Sequence, residues 1–311
     1  MLTNHAWTLK PLPRGLWLAG LCLMFATTSA FVPSTQAQAQ ELKFNLVAVS
    51  GPRFAEPHDL VLSLDKSLLF VADLGNNRVK ILDPKTLKTI DVVGQGDLNS
   101  PHDVALDNRG RLLVADTGNH RIVLYRIFGT KAQKIDSWDK GFSSPEGVVV
   151  DPDGAVYVTN LGHHNVMKFV KGKLVRQVGG KGSGPNQYIR PHDIDLDSQG
   201  RVYVADSGNN RIQILDKDLN VLRELKGPSF NFNEPKYLKI DLDGRLYVAD
   251  EDNHQIKVFD KNFKLQGVIG DGKPGRKRGQ LKKPEGVEVW NDSIWVADTY
   301  NGRVQLFRRQ Q

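Results

Sequence analysis

Six prolines divide the chain into near-equal lengths. Pro57, Pro101, Pro145, Pro191, Pro235 and Pro284 are spaced by 44, 44, 46, 44 and 49 residues, and each opens an apolar run. A second mark follows each one: Val-Ala-Asp ending at Asp73, Asp116, Asp206, Asp250 and Asp298, and Val-Thr-Asn ending at Asn160 in the third unit. A period of this size denotes one supersecondary unit that cannot bury its own apolar face and must stack on copies of itself.

The fourth unit shows what is repeated. Ile194-Asp195-Leu196 alternates, Asp197-Ser198-Gln199-Gly200 has turn chemistry, and Val202 to Ala205 reads as a second strand. Asn209-Asn210 turns the chain again before Ile212 to Leu215, and Leu222 to Leu225 supplies a fourth strand. No segment carries a helical period. Four antiparallel strands per repeat of this length describe a propeller blade, so the expectation is an all-β, six-bladed β-propeller. The sixth unit stops at Gln311 after three strands. Residues 42–51, LKFNLVAVSG, are a strand without a first-blade partner and resemble the fourth strands at 91–94 and 266–270. The N-terminal strand is therefore expected to complete the last blade and hide its open edge.

Residues 1–39 read differently. Lys10 and Arg14 precede an apolar run, Leu16 to Ala30, and Ala37-Gln38-Ala39 offers the small residues of a cleavage site. We read 1–39 as a signal peptide and 40–311 as the propeller, which makes the mature protein periplasmic or secreted with no transmembrane span. An uncleaved anchor is the alternative, although the run is short for a full span. Cys22 is the single cysteine, so the mature chain has no disulfide and relies on its core. Without Lys10 and Arg14 the formal charge falls from +7 to +5, which permits anionic partners without demanding them.

The first strand of a propeller blade lines the central channel, so the residue after each repeat proline stands at one rim. Around the ring that position holds His58, His102, Glu146, His192, Lys236 and Glu285; the next holds Asp59, Asp103, Gly147, Asp193, Tyr237 and Gly286. Neutral imidazoles converging on an axis suit zinc or a similar divalent metal, held by His58, His102 and His192, with the neighbouring aspartates orienting the rings. The other reading makes Pro-His-Asp a turn whose aspartates accept backbone hydrogen bonds. On either reading Asp59, Asp103, Glu146, Asp193, Lys236, Tyr237 and Glu285 are candidate binding residues.

Other features have plainer readings. Asp73 with Arg78, Asp116 with Arg121, Asp206 with Arg211 and Asp298 with Arg303 recur five residues apart, which suits charge-assisted pairing inside the scaffold. Asn165 and Gln255 replace the arginine in blades three and five, so looser turns are expected there. His120, His163, His164 and His254 fall in or beside turns and are assigned no role; the adjacent pair His163-His164 reads as solvated before ligating. The glycine-rich GGKGSG at 179–184 is followed by no helix, which makes it a linker and not a phosphate cradle. The linker at 270–284 holds Lys273, Arg276, Lys277, Arg278, Lys282 and Lys283 beside the same rim. It could guide an anionic ligand, or serve only as a solvated loop.

VADTGNHRIVLY (114–125), VADSGNNRIQIL (204–215) and GGKGSGPNQYIRP (179–191) resemble NHL repeats. That resemblance implies the propeller fold but no single function, because such domains bind RNA, act as sensors or are enzymes. The Pro-His placement is also similar to that of the peptidyl-hydroxyglycine amidating lyases. This implies an axial zinc on His58, His102 and His192, and a catalytic role for Tyr300, the one tyrosine in the turn after a Val-Ala-Asp strand. The chain departs from the lyase pattern in three ways. Its histidines occupy blades one, two and four and do not alternate. Leu74, Thr117, Leu161, Ser207, Glu251 and Thr299 stand where the lyase has an arginine after one such aspartate, and the lyase disulfides are missing. The expected function is an exported binding module for a small anionic or peptide ligand, or for a periplasmic or extracellular protein, at the Pro-His-Asp face. A metal-dependent lyase or hydrolase is the alternative. Export argues against nucleic acid as partner.

Overall fold

The alternating segments pair as expected. A computed structural model, which describes residues 41–51 and 53–310, arranges them as six sheets of four antiparallel strands. Blade one runs Pro57–Leu62, Leu69–Asp73, Arg78–Leu82 and Thr89–Val93; blades two to five begin at Pro101, Pro145, Pro191 and Pro235. The first strands of neighbouring blades lie against one another and form the inner wall. Phe44–Val49 pairs with Arg303–Arg309 as the outermost strand of blade six, with Phe44 opposite Arg309 and Val49 opposite Gln305, so the ring closes as read from the sequence. The expected signal peptide lies outside the described residues. Among these, no helix is long and apolar enough to cross a membrane.

The cores lie between blades. Phe70, Ala72 and Ile81 of blade one meet Val104, Leu112 and Val114 of blade two, and the same interleaving recurs around the ring. Phe44 and Leu46 of the closing strand pack on the cluster joining blades five and six.

The repeated aspartate ties each outer turn to its linker. Asp73, Asp116, Asp206, Asp250 and Asp298 each accept a backbone N–H from the linker before their own blade, and Asn160 does so in blade three. The arginine five residues on donates to the same carboxylate, at 3.0 Å for Arg78, 2.6 Å for Arg121 and 2.7 Å for Arg211 and Arg303. The turns of blades three and five are not slack. In blade five Lys257 Nζ reaches Asp250 at 2.6 Å; in blade three the neutral Asn160 needs no cation.

The residue before each repeat proline is left-handed, with φ of 48–56° at Glu56, Ser100, Ser144, Arg190, Glu234 and Lys283. Five of these six take a clasp from the preceding blade. The amides of Ser100 and Glu234 donate to Asn77 and Asn210; those of Ser144, Arg190 and Lys283 donate to His120, His164 and His254 Nδ1. The clasp residues are themselves left-handed, φ 51–55°, where Asn and His are tolerated better than most side chains. These three histidines are therefore structural acceptors, although the ring of His120 is also exposed. His163 instead sits 3.2 Å from Asn160 Nδ2.

Candidate functional site

A register slip places the rim residues. In blade one Pro57 pairs with Asp73 and Leu60 with Val71, so an extra residue bulges at His58-Asp59; blades two to five slip at the same point. Such bulges re-aim side chains. Here they turn the residue after each proline onto the axis. His58 and His102 meet edge to face with ring centroids 4.8 Å apart, and Tyr237 from blade five lies 6.5 Å from His58.

Backbone carbonyls fix two tautomers. His58 Nδ1 lies 3.1 Å from Glu56 O and His102 Nδ1 lies 3.0 Å from Ser100 O. A carbonyl only accepts, so each Nδ1 carries the proton and each Nε2 presents a lone pair to the axis. Burial holds both imidazoles down at about 4, so they are neutral near neutral pH. The carbonyls that orient them belong to the left-handed residues, which is what that conformation contributes to the site.

Two glutamates face these lone pairs in different states. Glu285 Oε2 lies 3.1 Å from His58 Nε2, and burial pushes its carboxyl up to about 8, so it keeps its proton and donates to the ring. Glu146 is also buried, but its hydrogen bond to His192 and the charge of Lys236 hold it down at about 2. Its Oε1 lies 3.7 Å from His102 Nε2. There a carboxylate and a lone pair confront each other with no proton between them.

His192 is held differently. Its Nδ1 meets Glu146 Oε2, and its Nε2 accepts from Lys236 Nζ at 2.9 Å. Lys236 in turn lies 3.4 Å from Glu251 Oε2, and Glu251 Oε1 takes Lys283 Nζ at 3.3 Å. The sequence reading did not single out Glu251. Its signal was available: it is the one charged residue among the six that follow the repeated Asp or Asn. Tyr237 is buried, donates to His102 O at 3.3 Å, and is pushed well above the usual phenol range by burial, so it is a fixed donor. Tyr300, 45% exposed, lies at the rim with Lys283 Nζ 5.4 Å from its ring; burial and the nearby Glu251 and Glu285 push its phenol up, which makes it a proton donor before a base.

The aspartates do not orient the imidazoles. Asp103 Oδ2 accepts from Val148 N at 2.6 Å and Asp193 Oδ2 from Leu238 N at 2.8 Å, each clamping the next blade's first strand. With Asp59 they line the channel behind the mouth, a space of about 390 Å³ also bounded by Asp195, Lys239 and Glu288. Lys239 sits 3.6 Å from Asp195 and 3.9 Å from Glu288.

For a divalent metal, the donor set fits at two imidazoles. His58 and His102 offer neutral, oriented nitrogens, with Glu146 and Glu285 beside them. His192 fits only if Lys236 gives up its hydrogen bond. Among the described residues no three His, Cys, Asp or Glu side chains are already drawn together as a metal site.

The fold and this axial ring define a six-bladed propeller whose channel carries its ionisable groups at one mouth. The NHL repeat matches residues 98–125, 142–169, 189–215, 232–259 and 281–307, and the chain is an NHL-repeat propeller. Blade one is built like the others although it lies outside those matches. NHL repeat-containing protein 3 of Homo sapiens is 34% identical over 100 residues, covering 30% of this chain and 29% of that protein. The probable peptidyl-alpha-hydroxyglycine alpha-amidating lyase of Caenorhabditis elegans is 31% identical over 169 residues, 49% of this chain and 47% of that one. The chain thus spans less than half of either relative. Among solved structures, a gluconolactonase of Xanthomonas campestris superposes with a TM-score of 0.65 at 14% identity, over 88% of this chain and 91% of its own. A streptogramin B lyase gives 0.60 at 15%, over 87% and 98%. At such identities the likeness is one of fold.

Proposed function

We propose that this propeller is an exported binding module that takes its ligand at the Pro-His-Asp mouth. The observation that carries the reading is the gap between His102 Nε2 and Glu146 Oε1, two acceptors 3.7 Å apart, the glutamate buried and the imidazole half-buried. Facing acceptors repel unless a cation or a donor comes between them, so the mouth is incomplete by itself. The ligand supplies that positive charge or hydrogen-bond donor, and Tyr300 and Lys283 at the rim meet the rest of it. The basic, apolar leader supports export, which fractionation of expressing cells would test.

A second reading has its own support. Similarity to a protein named as an amidating lyase, together with neutral His58 and His102, favours a metal-dependent lyase or hydrolase with zinc on His58, His102 and His192. When bound, zinc would supply Lewis-acid chemistry. The chain's own part would be to fix the two imidazoles through Glu56 O and Ser100 O, and to hold a proton on Tyr300.

Elemental analysis of protein purified without chelator, beside the His58→Ala/His102→Ala/His192→Ala variant, separates the readings. Near-stoichiometric zinc lost in the variant supports the metal centre and justifies a substrate screen. No metal in either folded protein removes the second reading and leaves binding through a donor group. Binding itself falls if Glu146→Gln, which places an amide donor in the gap, leaves the uptake of every ligand found for the wild type unchanged.

A further inference from the structure

The linker before blade six has a twin before blade four that carries no cation at its tip. In the twin, Arg211 donates to Ser183 O, Gly184 O and Gln187 O at 2.7, 2.9 and 2.8 Å, and Asn209 to Gly182 O at 2.9 Å. Before blade six, Arg303 donates to Arg276 O, Lys277 O and Gln280 O, each at 2.9 Å, and Asn301 to Gly275 O at 2.7 Å. Gln213 and Gln305 complete the match, each donating to the carbonyl of Gln187 or Gln280 at 2.8 Å. One scaffold thus builds both loops. At the equivalent positions it displays Ser183-Gly184-Pro185 in one and Arg276-Lys277-Arg278 in the other. The cations are not what folds the loop.

The inward pull on the carbonyls leaves the side chains of Arg276, Lys277 and Arg278 exposed. Of the six cations between 273 and 283, only Lys283 forms an ion pair among the described residues, with Glu251 and Asp252. A preorganised cluster of unpaired charges costs little ordering to engage a partner. Its surroundings restrict the partner. Asp271 and Asp252 flank the cluster, so a polymer charged at every unit would be repelled at both ends. A single-stranded nucleic-acid track typically adds successive aromatic platforms, and residues 270–284 contain no aromatic side chain.

We infer that the Arg276-Lys277-Arg278 loop is a docking site for a short acidic polypeptide segment, with aspartate or glutamate side chains set against its cations. Each guanidinium grips a carboxylate through two parallel N–H donors, while Lys277 adds a point charge. The twin loop supplies the control: Arg276→Ser/Lys277→Gly/Arg278→Pro installs residues that this scaffold already carries.

The test is fluorescence anisotropy of a labelled octapeptide, four central glutamates between Gly-Ser ends, with full-length protein at low ionic strength. The wild type is expected to bind saturably and to weaken as salt is added, and the triple swap to bind about tenfold less tightly with unchanged melting. If the proline disturbs the loop, Arg278→Glu keeps the backbone and is expected to weaken binding as well. Equal affinity of wild type and swap overturns the inference, as does tighter wild-type binding of an oligonucleotide of equal length or of tripolyphosphate.

Discussion

Lys236 decides how many imidazoles the mouth has free, because its hydrogen bond occupies the one lone pair on His192. Removing the ammonium while keeping an apolar stem, Lys236→Met, is expected to raise the affinity for cobalt(II) by about tenfold or more, read from its visible absorption. Affinity that is unchanged or lower would mean that His192 is not restrained in this way. A second residue-scale expectation concerns the buried arginines. Arg211 is fully buried and serves Asp206, Glu224 and three carbonyls, so Arg211→Leu leaves a carboxylate uncompensated and is expected to cost about 3–5 kcal/mol. Arg78→Leu is expected to cost less, because Lys80 stands 3.6 Å behind it on Asp73. Urea denaturation of both variants checks the order; equal losses would contradict it. At this scale the sequence placed every rim residue on the axis, because a repeat fixes register. It did not show which way they face. Glu146 and Lys236 both serve His192, pairings that arise across blades and leave no mark in any one repeat.

The blade junctions depend on side chains from the turn before each linker, and three of these are titratable. His164 Nδ1 accepts from Arg190 N only while it carries no proton. Burial, helped by Lys181, holds this ring below its ordinary 6.5. As pH falls below that value the unfolded chain takes the proton first, so the contribution of the clasp is whole above pH 6.5 and is lost as pH drops through the lowered folded value. Asn77 and Asn210 do the same work in other blades without titrating. His164→Asn is therefore expected to lower the loss of Tm between about pH 7.5 and pH 5. An identical pH profile for variant and wild type would mean that the clasp does not report on this junction. The strands themselves were legible from alternation and turn chemistry. The clasps were not, since a histidine in a turn suggests no role until the left-handed amide it accepts from is in place. The same is true of the bulge after each proline, which has no signature beyond the Pro-His-Asp triplet itself.

Six units and a closing strand were readable because each repeat marks its own start and the last lacks a strand that the chain supplies at residues 42–51. The channel interior was less readable. Lys239, Asp195 and Glu288 meet only once the first strands of three blades share an axis. Closure carries the prediction at this scale. A chain beginning after Gly51 bares the edge of Arg303–Arg309, and it is expected to elute as dimers or larger species and to melt in more than one step. A monomer with a single unchanged transition would show that the strand is dispensable.

That closing strand also sets how the ring answers to a pull. Gln310 N donates to Lys43 O at 2.8 Å, so the two points of attachment lie side by side at one end of an antiparallel pair. Tension applied across them loads these hydrogen bonds in sequence and not all together. The ring opens like a zipper from the 44–309 pair toward 49–305, at low force, while the five blades whose strands are joined by turns stay intact.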